Sequence, residues 1–163
     1  MTVIAVTGHR KLSAGTAGLV ARRLQELLDA EQRPLVGVSC LAEGADQIFA
    51  DAMIWAGGEL QVVLPAEDYR QSLPPAAREC YDTLLGKASL VHPLPFRTAG
   101  EAAYQAAAEE LLARADELIA VWDGGPSRGP GGTAEVVEAA RRRGMRVRVI
   151  WPPGAAREEP AER

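Results

Sequence analysis

The sequence predicts an α/β protein with one domain, built as a mainly parallel sheet of about six strands between two layers of helices. Short β-rich runs alternate along the chain with longer segments of helical periodicity. The short runs are apolar on both faces, which is typical of strands covered on both sides, and parallel strands need crossovers that helices supply. With 163 residues, 47% of them hydrophobic, the chain is long enough for its own core. These observations indicate a three-layer, Rossmann-like fold.

In the first half of the chain, caps and breakers mark where each element begins and ends. Ser13 is a suitable N-cap for a helix whose Leu and Val side chains recur on one face. Gly57-Gly58 ends the second helix, and Pro65 closes the third strand. The predicted elements are strand 3–6, helix 13–30, strand 35–38, a helix ending near 56, strand 60–64 and a polar loop over 66–70.

In the second half, Pro75 is placed to open a helix, because proline is favoured in the first helical turn. The remaining predicted elements are a short strand around 90–91, an alanine-rich helix over 100–114, strand 118–122, helix 133–143 and strand 146–150. Residues 1–153 therefore form the predicted domain. The polar, proline-containing segment 154–163 is expected to fray.

Glycine and ionisable residues concentrate in the loops that follow the strands. In a parallel sheet these loops all lie at one edge, and ligands bind there where the strand order reverses. The loops at the opposite edge, such as 31–34, have the composition of plain connectors. This asymmetry predicts a binding site for a small molecule at the edge that contains 7–10, 39–46, 65–70, 92–98 and 123–133.

The segment 121–133 ends a hydrophobic strand and begins a helix on a glycine-rich turn that contains a hydroxyl group. Glycines let backbone N–H groups approach an anion, and the helix N-terminus directs unpaired amides at the same point. Gly131-Gly132-Thr133 is therefore a candidate phosphate cradle. A glycine-rich turn that only starts a helix is the alternative interpretation.

Other residues at this edge have two interpretations each. Arg10 is suited to pair with a phosphate and His9 to donate or titrate, or both are surface residues at a helix start. Asp123 accepts from ribose hydroxyls or forms an Asp-Gly turn. Glu43 and Asp46 bind a ligand or stabilise the start of a helix through its dipole. Arg128 covers a bound phosphate or is an ordinary exposed arginine. Tyr69 and Trp122 stack on a base or belong to the core. Cys40 has one interpretation, that of a buried small residue.

Three motifs in this order resemble the SLOG superfamily, which is named for the DNA-processing protein Smf/DprA and the Lonely Guy enzymes. They are Thr7-Gly8-His9-Arg10, the spacing Ser39-x-x-x-Glu43-Gly44-Ala45-Asp46, and Asp123-Gly124 with Gly131-Gly132-Thr133. The chain is most similar to the small, stand-alone bacterial members. The resemblance implies a nucleotide or nucleotide-derived ligand, bound by residues from Gly8, His9, Arg10, Glu43, Gly44, Asp46, Asp123, Gly124, Arg128, Gly131, Gly132, Thr133 and Glu135.

The chain departs from the hydrolytic members of that superfamily at one position. Those enzymes have a pattern G-G-x-G-T-x-x-E, whose acidic residue acts in ribosyl chemistry. Here the third residue after Thr133 is Val136, and Glu135 is one residue early, which turns it by about 100° around the helix. The sequence therefore favours nucleotide binding or sensing. Hydrolysis of nucleoside 5′-monophosphates is the alternative, with Glu135 or Glu43 as the acid and Arg10 or Arg128 as the phosphate clamp.

Composition limits the partners. The net charge of −4 and the aromatic fraction of 5% oppose single-stranded DNA binding, which is the third possibility.

Cys40 and Cys80 are far apart and outside any Cys/His cluster, so we expect neither a metal nor a cofactor. The N-terminus lacks the features of a signal peptide and no apolar run spans a bilayer, which predicts a cytoplasmic protein. The alanine-rich run 102–108 favours close helix packing in a homodimer.

Overall fold

The computed structural model describes residues 1–127 and 132–156 of the chain. Within these ranges six strands form one sheet, and every neighbouring pair is parallel. The order across the sheet is β4-β3-β2-β1-β5-β6. The strands are β1 (Thr2–Gly8), β2 (Leu35–Ser39), β3 (Glu59–Leu64), β4 (Leu90–Pro93), β5 (Glu117–Val121) and β6 (Arg146–Ile150). The predicted α/β class with a parallel six-stranded sheet is confirmed.

Helices cover both faces of this sheet. They are α1 (Ala14–Asp29), α2 (Ala45–Trp55), α3 (Tyr69–Ser72), α4 (Pro75–Gly86), α5 (Glu101–Arg114) and α6 (Thr133–Arg142). In β1, Ile4 and Val6 pack in a core cluster with α1 and α2, whereas Ala5 packs with α5 and α6. This alternation along one strand places the two helix pairs on opposite faces and confirms the three layers. In the described part of the chain no helix is long and apolar enough to cross a membrane.

Local signals define the helix ends where the sequence predicted them. The Ser13 hydroxyl oxygen accepts a hydrogen bond from the Thr16 amide at 3.2 Å and caps α1. Pro75 is the first residue of α4, and Gly57 follows α2 with a positive φ of 80°. The polar loop predicted over 66–70 is wrong in its last part, because Tyr69 is buried and begins the one-turn helix α3. Its ring packs edge-on against Tyr81, with 6.1 Å between centroids.

We expect Ser13→Ala to lower the free energy of unfolding by about 1 kcal/mol, because the Thr16 amide loses its cap acceptor. Urea denaturation of the purified protein measures this change. Ser13→Asp retains an acceptor at the same place and should keep most of the stability. Equal losses in the two variants would contradict a capping role.

The beginning of the segment expected to fray contacts α1. The Thr16 hydroxyl donates to the Ala156 carbonyl oxygen at 3.0 Å and accepts from the Ala156 amide at 2.9 Å. Ala156 is therefore hydrogen-bonded to the first turn of α1. Residues 157–163 lie outside the described part of the chain.

The strand order reverses at β1, because β2, β3 and β4 follow it on one side while β5 and β6 lie on the other. The chain leaving β1 is hydrogen-bonded to the end of β5, where the His9 amide donates to the Val121 carbonyl oxygen at 3.1 Å. The carboxyl ends of β1 and β5 thus form the crevice in which α/β sheets bind ligands.

Candidate functional site

A pocket of about 60 Å³ opens at the carboxyl edge of the sheet, beside this crevice. The ends of β1 and β2, the start of α2 and one face each of α5 and α6 form its walls. The residues on which its chemistry depends are Gly8, Arg10, Cys40, Asp46, Tyr69 and Tyr104. Three of these, Gly8, Arg10 and Asp46, are among the predicted ligand-binding residues. The structure therefore brings three of the predicted loops, 7–10, 39–46 and 65–70, together around one small cavity.

Two of the predicted glycines let the loops approach each other closely. Gly44 has φ +78°, and a Cβ built there lies 2.6 Å from the His9 carbonyl oxygen and also overlaps the Arg10 carbonyl oxygen. The Ala45 amide donates to the same His9 oxygen at 3.2 Å. A Cβ at Gly8 lies 2.8 Å from Val121 Cβ and overlaps Ala45 Cβ. Packing between backbones thus requires glycine at both positions.

Arg10 is the cation of the pocket. Its side chain is exposed, and its guanidinium carbon lies 5.2 Å from the centroid of the Tyr104 ring. The aromatic face orients the guanidinium without using its N–H donors. Within residues 1–127 and 132–156, no carboxylate lies within salt-bridge distance of Arg10. Its donors are therefore available to an anionic ligand.

Asp46 lies in the first turn of α2 and is half-buried. One carboxylate oxygen, Oδ2, accepts from the Ala42 amide at 3.3 Å. The Ser39 hydroxyl donates to the main-chain oxygen of Asp46 at 3.1 Å and accepts from the Leu41 amide at 3.0 Å, which fixes this turn. Burial raises the pKa of the Asp46 carboxyl to about 7, although the positive charge of Arg10 and the Ala42 hydrogen bond oppose the rise. Asp46 therefore exchanges its proton near neutral pH.

Two further titratable groups of the pocket, Cys40 and Tyr69, are neutral at this pH. Burial raises the pKa of the Cys40 thiol well above its ordinary value, and the negative charge of Asp46 adds to the rise. Burial also raises the pKa of the Tyr69 hydroxyl. The predicted burial of Cys40 is confirmed. The pocket thus combines one cation, one carboxyl that titrates near neutrality and neutral donors.

His9 and Asp123 form a second cluster, next to the pocket. His9 Nε2 lies 3.1 Å from the Asp123 amide, which donates to it, and 3.1 Å from Asp123 Oδ1. Oδ1 also accepts from the Gly125 amide at 2.8 Å, so Asp123 forms the predicted Asp-Gly turn, with Gly124 at φ +85°. The buried His9 ring packs edge-on against Trp151, with 5.4 Å between centroids. Through these contacts His9 stabilises the loop after β5.

Helix α6 reaches the pocket one turn after its start. Gly132 is the N-cap residue and supplies no side-chain cap, and Thr133 is the buried first residue of the helix. Val136, one turn later, lines the pocket, whereas the Glu135 side chain is exposed. The position at which the pattern G-G-x-G-T-x-x-E has its acid is therefore an apolar wall here. Arg128 and Gly131, two further predicted site residues, lie outside the described residues.

Sequence reasoning missed the wall that α5 contributes. Tyr104, Ala107 and Ala108 line the pocket, and the small side chains leave room for it. The signal in the sequence is the alanine run 102–108 itself, for which packing between subunits was the prediction. Glu43, predicted as a ligand-binding residue, is half-buried in the loop before α2 and is not part of the described pocket wall. In the two described ranges, no three His, Cys, Asp or Glu side chains are grouped to hold a metal ion.

Comparison with known proteins supports the fold. No family model and no curated protein matches the chain. Among solved structures, DNA processing protein A (DprA) from Streptococcus pneumoniae is 22% identical with a TM-score of 0.68, over 94% of this chain and 52% of that one. DprA from Helicobacter pylori, whose structure describes a single-stranded DNA binding mode, is 14% identical with a TM-score of 0.68, over 96% and 68%. The Moco carrier protein from Chlamydomonas reinhardtii is 19% identical with a TM-score of 0.53, over 91% and 75%.

The chain spans about half the length of the S. pneumoniae protein. At these identities the likeness concerns the fold, and one fold hosts many functions. The predicted resemblance to DNA processing protein A is thus confirmed as a likeness of fold. The chain therefore shares its fold with DNA processing protein A.

Proposed function

We propose that the protein binds a nucleotide or a nucleotide derivative and holds its phosphate between Arg10 and the first turn of α6. One observation carries the proposal. The pocket beside the strand-order reversal is lined both by a guanidinium without a carboxylate partner in the described ranges and by Val136, the fourth residue of the helix that begins at Thr133. The guanidinium and the start of that helix both favour a phosphate, because each presents N–H donors and positive charge.

The remaining walls suit the rest of such a ligand. Tyr104 offers a ring face beside Arg10, and Ala107, Ala108 and Val136 supply apolar surface. Ligand sites in proteins are typically apolar with a few placed polar groups, which is the composition found here. The functional interpretation of Gly132 and Thr133 as part of the cradle stays a prediction.

Hydrolysis of a nucleoside 5′-monophosphate, as in the Lonely Guy enzymes, is the second candidate. Val136 opposes it, because the acid of the hydrolytic pattern is missing from the pocket wall. Asp46 favours it, because a carboxyl that titrates near neutral pH inside a pocket is suited to general acid–base catalysis. If hydrolysis occurs, we expect Asp46 rather than Glu135 to be the acid. Single-stranded DNA binding is less favoured, since the net charge is −4.

Calorimetric titration with AMP, GMP, CMP, IMP and ADP-ribose, together with chromatography for released base, tests these alternatives. Binding without base release supports the proposed function. Base release that is abolished by Asp46→Asn would replace it with hydrolysis. Absence of any heat or thermal shift with all five compounds would refute nucleotide binding.

We expect Arg10→Gln to weaken nucleotide binding about 10- to 100-fold, because a charge-assisted hydrogen bond to phosphate is lost. The dissociation constant from calorimetry measures the effect. Arg22→Gln is the matched control, since Arg22 is an exposed arginine on α1 that does not line the pocket. Equal affinities of the two variants would contradict the assignment of Arg10 to the phosphate.

A cytoplasmic homodimer stays part of the proposal, but the structure changes the surface involved. Ala103 and Ala107 of the alanine run are buried in the core, so only the outer side of α5 is open to a second copy. Sedimentation equilibrium at micromolar concentration tests the oligomeric state. A monomer would remove the homodimer from the proposal.

A further inference from the structure

We propose that Asp46 makes the site selective for ligands with a vicinal diol, the 2′- and 3′-hydroxyl groups of a ribose 5-phosphate unit, over the corresponding deoxy sugars. The inference rests on the proposed function, because it names the chemistry of one part of the same ligand. The ribose contact predicted from the sequence for Asp123 thereby belongs to Asp46. Asp123 is less suited to that contact, because its Oδ1 atom already accepts from Gly125 and lies beside His9.

The Asp46 carboxyl is held in place but accepts few hydrogen bonds from the protein. The Ala42 amide is its one hydrogen-bond donor in the described part of the chain, at 3.3 Å to Oδ2. A carboxylate has about four lone-pair positions, so most of its accepting capacity is unused. Because the group is half-buried, water satisfies that capacity incompletely. A hydrogen bond donated by a ligand to Asp46 therefore contributes more binding free energy than one donated to an exposed carboxylate.

A vicinal diol matches this requirement. Its two O–H groups are neighbours, and each can donate to one oxygen of the same carboxylate, as other forked donors do. A sulfate ion lacks such donors and is repelled by the ionised carboxylate. Arg10, with no carboxylate partner within salt-bridge distance in the described ranges, is the group that suits the phosphate.

The pocket is small, at about 60 Å³, so it has room for one part of a nucleotide rather than for the whole molecule. Ala107, Ala108 and Val136 offer apolar contact to the carbon atoms of the ring. Among the carboxylates of the described ranges, Asp46 is the one that lines this cavity, since Glu135 is exposed and Glu43 is not part of the wall.

Calorimetric titrations of the full chain with AMP, 2′-deoxy-AMP and 3′-deoxy-AMP test the inference. We expect the wild type to bind AMP about tenfold more tightly than either deoxy form, because each deoxy form lacks one hydrogen bond to a charged group. In Asp46→Asn the preference should fall to about threefold or less, since the amide accepts through one oxygen. Asp51→Asn, an exposed aspartate on the same helix, should keep the wild-type preference.

The possible failures are distinguishable. Equal binding of the three nucleotides by the wild type overturns the diol selectivity and leaves nucleotide binding intact. An unchanged preference in Asp46→Asn, with thermal unfolding showing that the variant is folded, also overturns it. IMP lacks the exocyclic amine of AMP, so a change in the AMP-to-IMP ratio without a change in the deoxy ratios would mean that Asp46 contacts the base. If no nucleotide binds, both this inference and the proposed function fail.

Discussion

Replacing Gly44 by alanine is expected to remove about 3 kcal/mol or more of the free energy of unfolding, a large share of what a domain of this size possesses. Gly44 has φ +78°, where a Cβ is strained by roughly 1–2 kcal/mol. The same Cβ overlaps the Arg10 carbonyl oxygen and lies 2.6 Å from that of His9, so the loop after β1 has to move. Urea denaturation, or loss of soluble protein on expression, measures the result.

Substitutions at two other glycines separate the cost of backbone strain from the cost of crowding around the added Cβ. Gly57→Ala introduces a Cβ at φ +80° with open space around it, so the backbone strain alone should cost about 1 kcal/mol. Gly8→Ala introduces a Cβ 2.8 Å from Val121 Cβ without a positive φ, which isolates the crowding. If Gly44→Ala is no more destabilising than Gly57→Ala, the close approach of the two loops is contradicted.

The position of Gly44 explains how far the site could be predicted from the sequence. In a parallel sheet all loops after strands share one edge, so the motifs containing Arg10 and Asp46 had to lie near each other. The sequence does not distinguish a glycine that exposes amides to a ligand from one that admits another backbone. Gly44 and Gly8 perform the second role, and this follows from contacts between loops that are distant in the chain.

Most of the fold was predictable because its signals are local. A hydroxyl at Ser13, a proline at Pro75 and a positive φ at Gly57 each act on residues within one helical turn. The end of the polar loop over 66–70 was predicted wrongly, because Tyr69 begins α3 and packs against Tyr81, a contact between segments that are separate in the sequence. Tyr104 was missed for the same reason, since it enters the pocket from α5.

The second large effect concerns Asp46, whose replacement by asparagine should stabilise the protein at alkaline pH. The pKa of this carboxyl is raised from 3.8 to about 7 in the folded protein, so the folded state keeps the proton to higher pH than the unfolded state. Stability of the wild type therefore falls as the pH rises from about 4 to about 7. Asparagine has no proton to lose, and its side-chain oxygen can still accept from the Ala42 amide.

The rise in the pKa of Asp46 from 3.8 to about 7 corresponds to at most about 4 kcal/mol of unfolding free energy. Solvent access to the half-buried carboxyl reduces this contribution. We expect Asp46→Asn to be more stable than the wild type by about 1–2 kcal/mol at pH 8 and equally stable near pH 4. Urea denaturation at the two pH values measures the difference. Asp51→Asn, on the exposed side of the same helix, should show no such gain, and a pH-independent effect of Asp46→Asn would contradict the burial of a titrating carboxyl.

The direction of this effect also bears on function. The groups that face Asp46 in the pocket are Arg10, whose charge favours the ionised form, and Cys40 and Tyr69, which are neutral near pH 7. A ligand whose hydroxyls donate to Asp46 favours the ionised form as well, so its binding should release a proton from Asp46 near pH 7. Calorimetry of AMP binding in two buffers with different ionisation enthalpies detects that proton, and Asp46→Asn should abolish its release. A carboxyl that destabilises the empty protein at alkaline pH would thereby stabilise the complex.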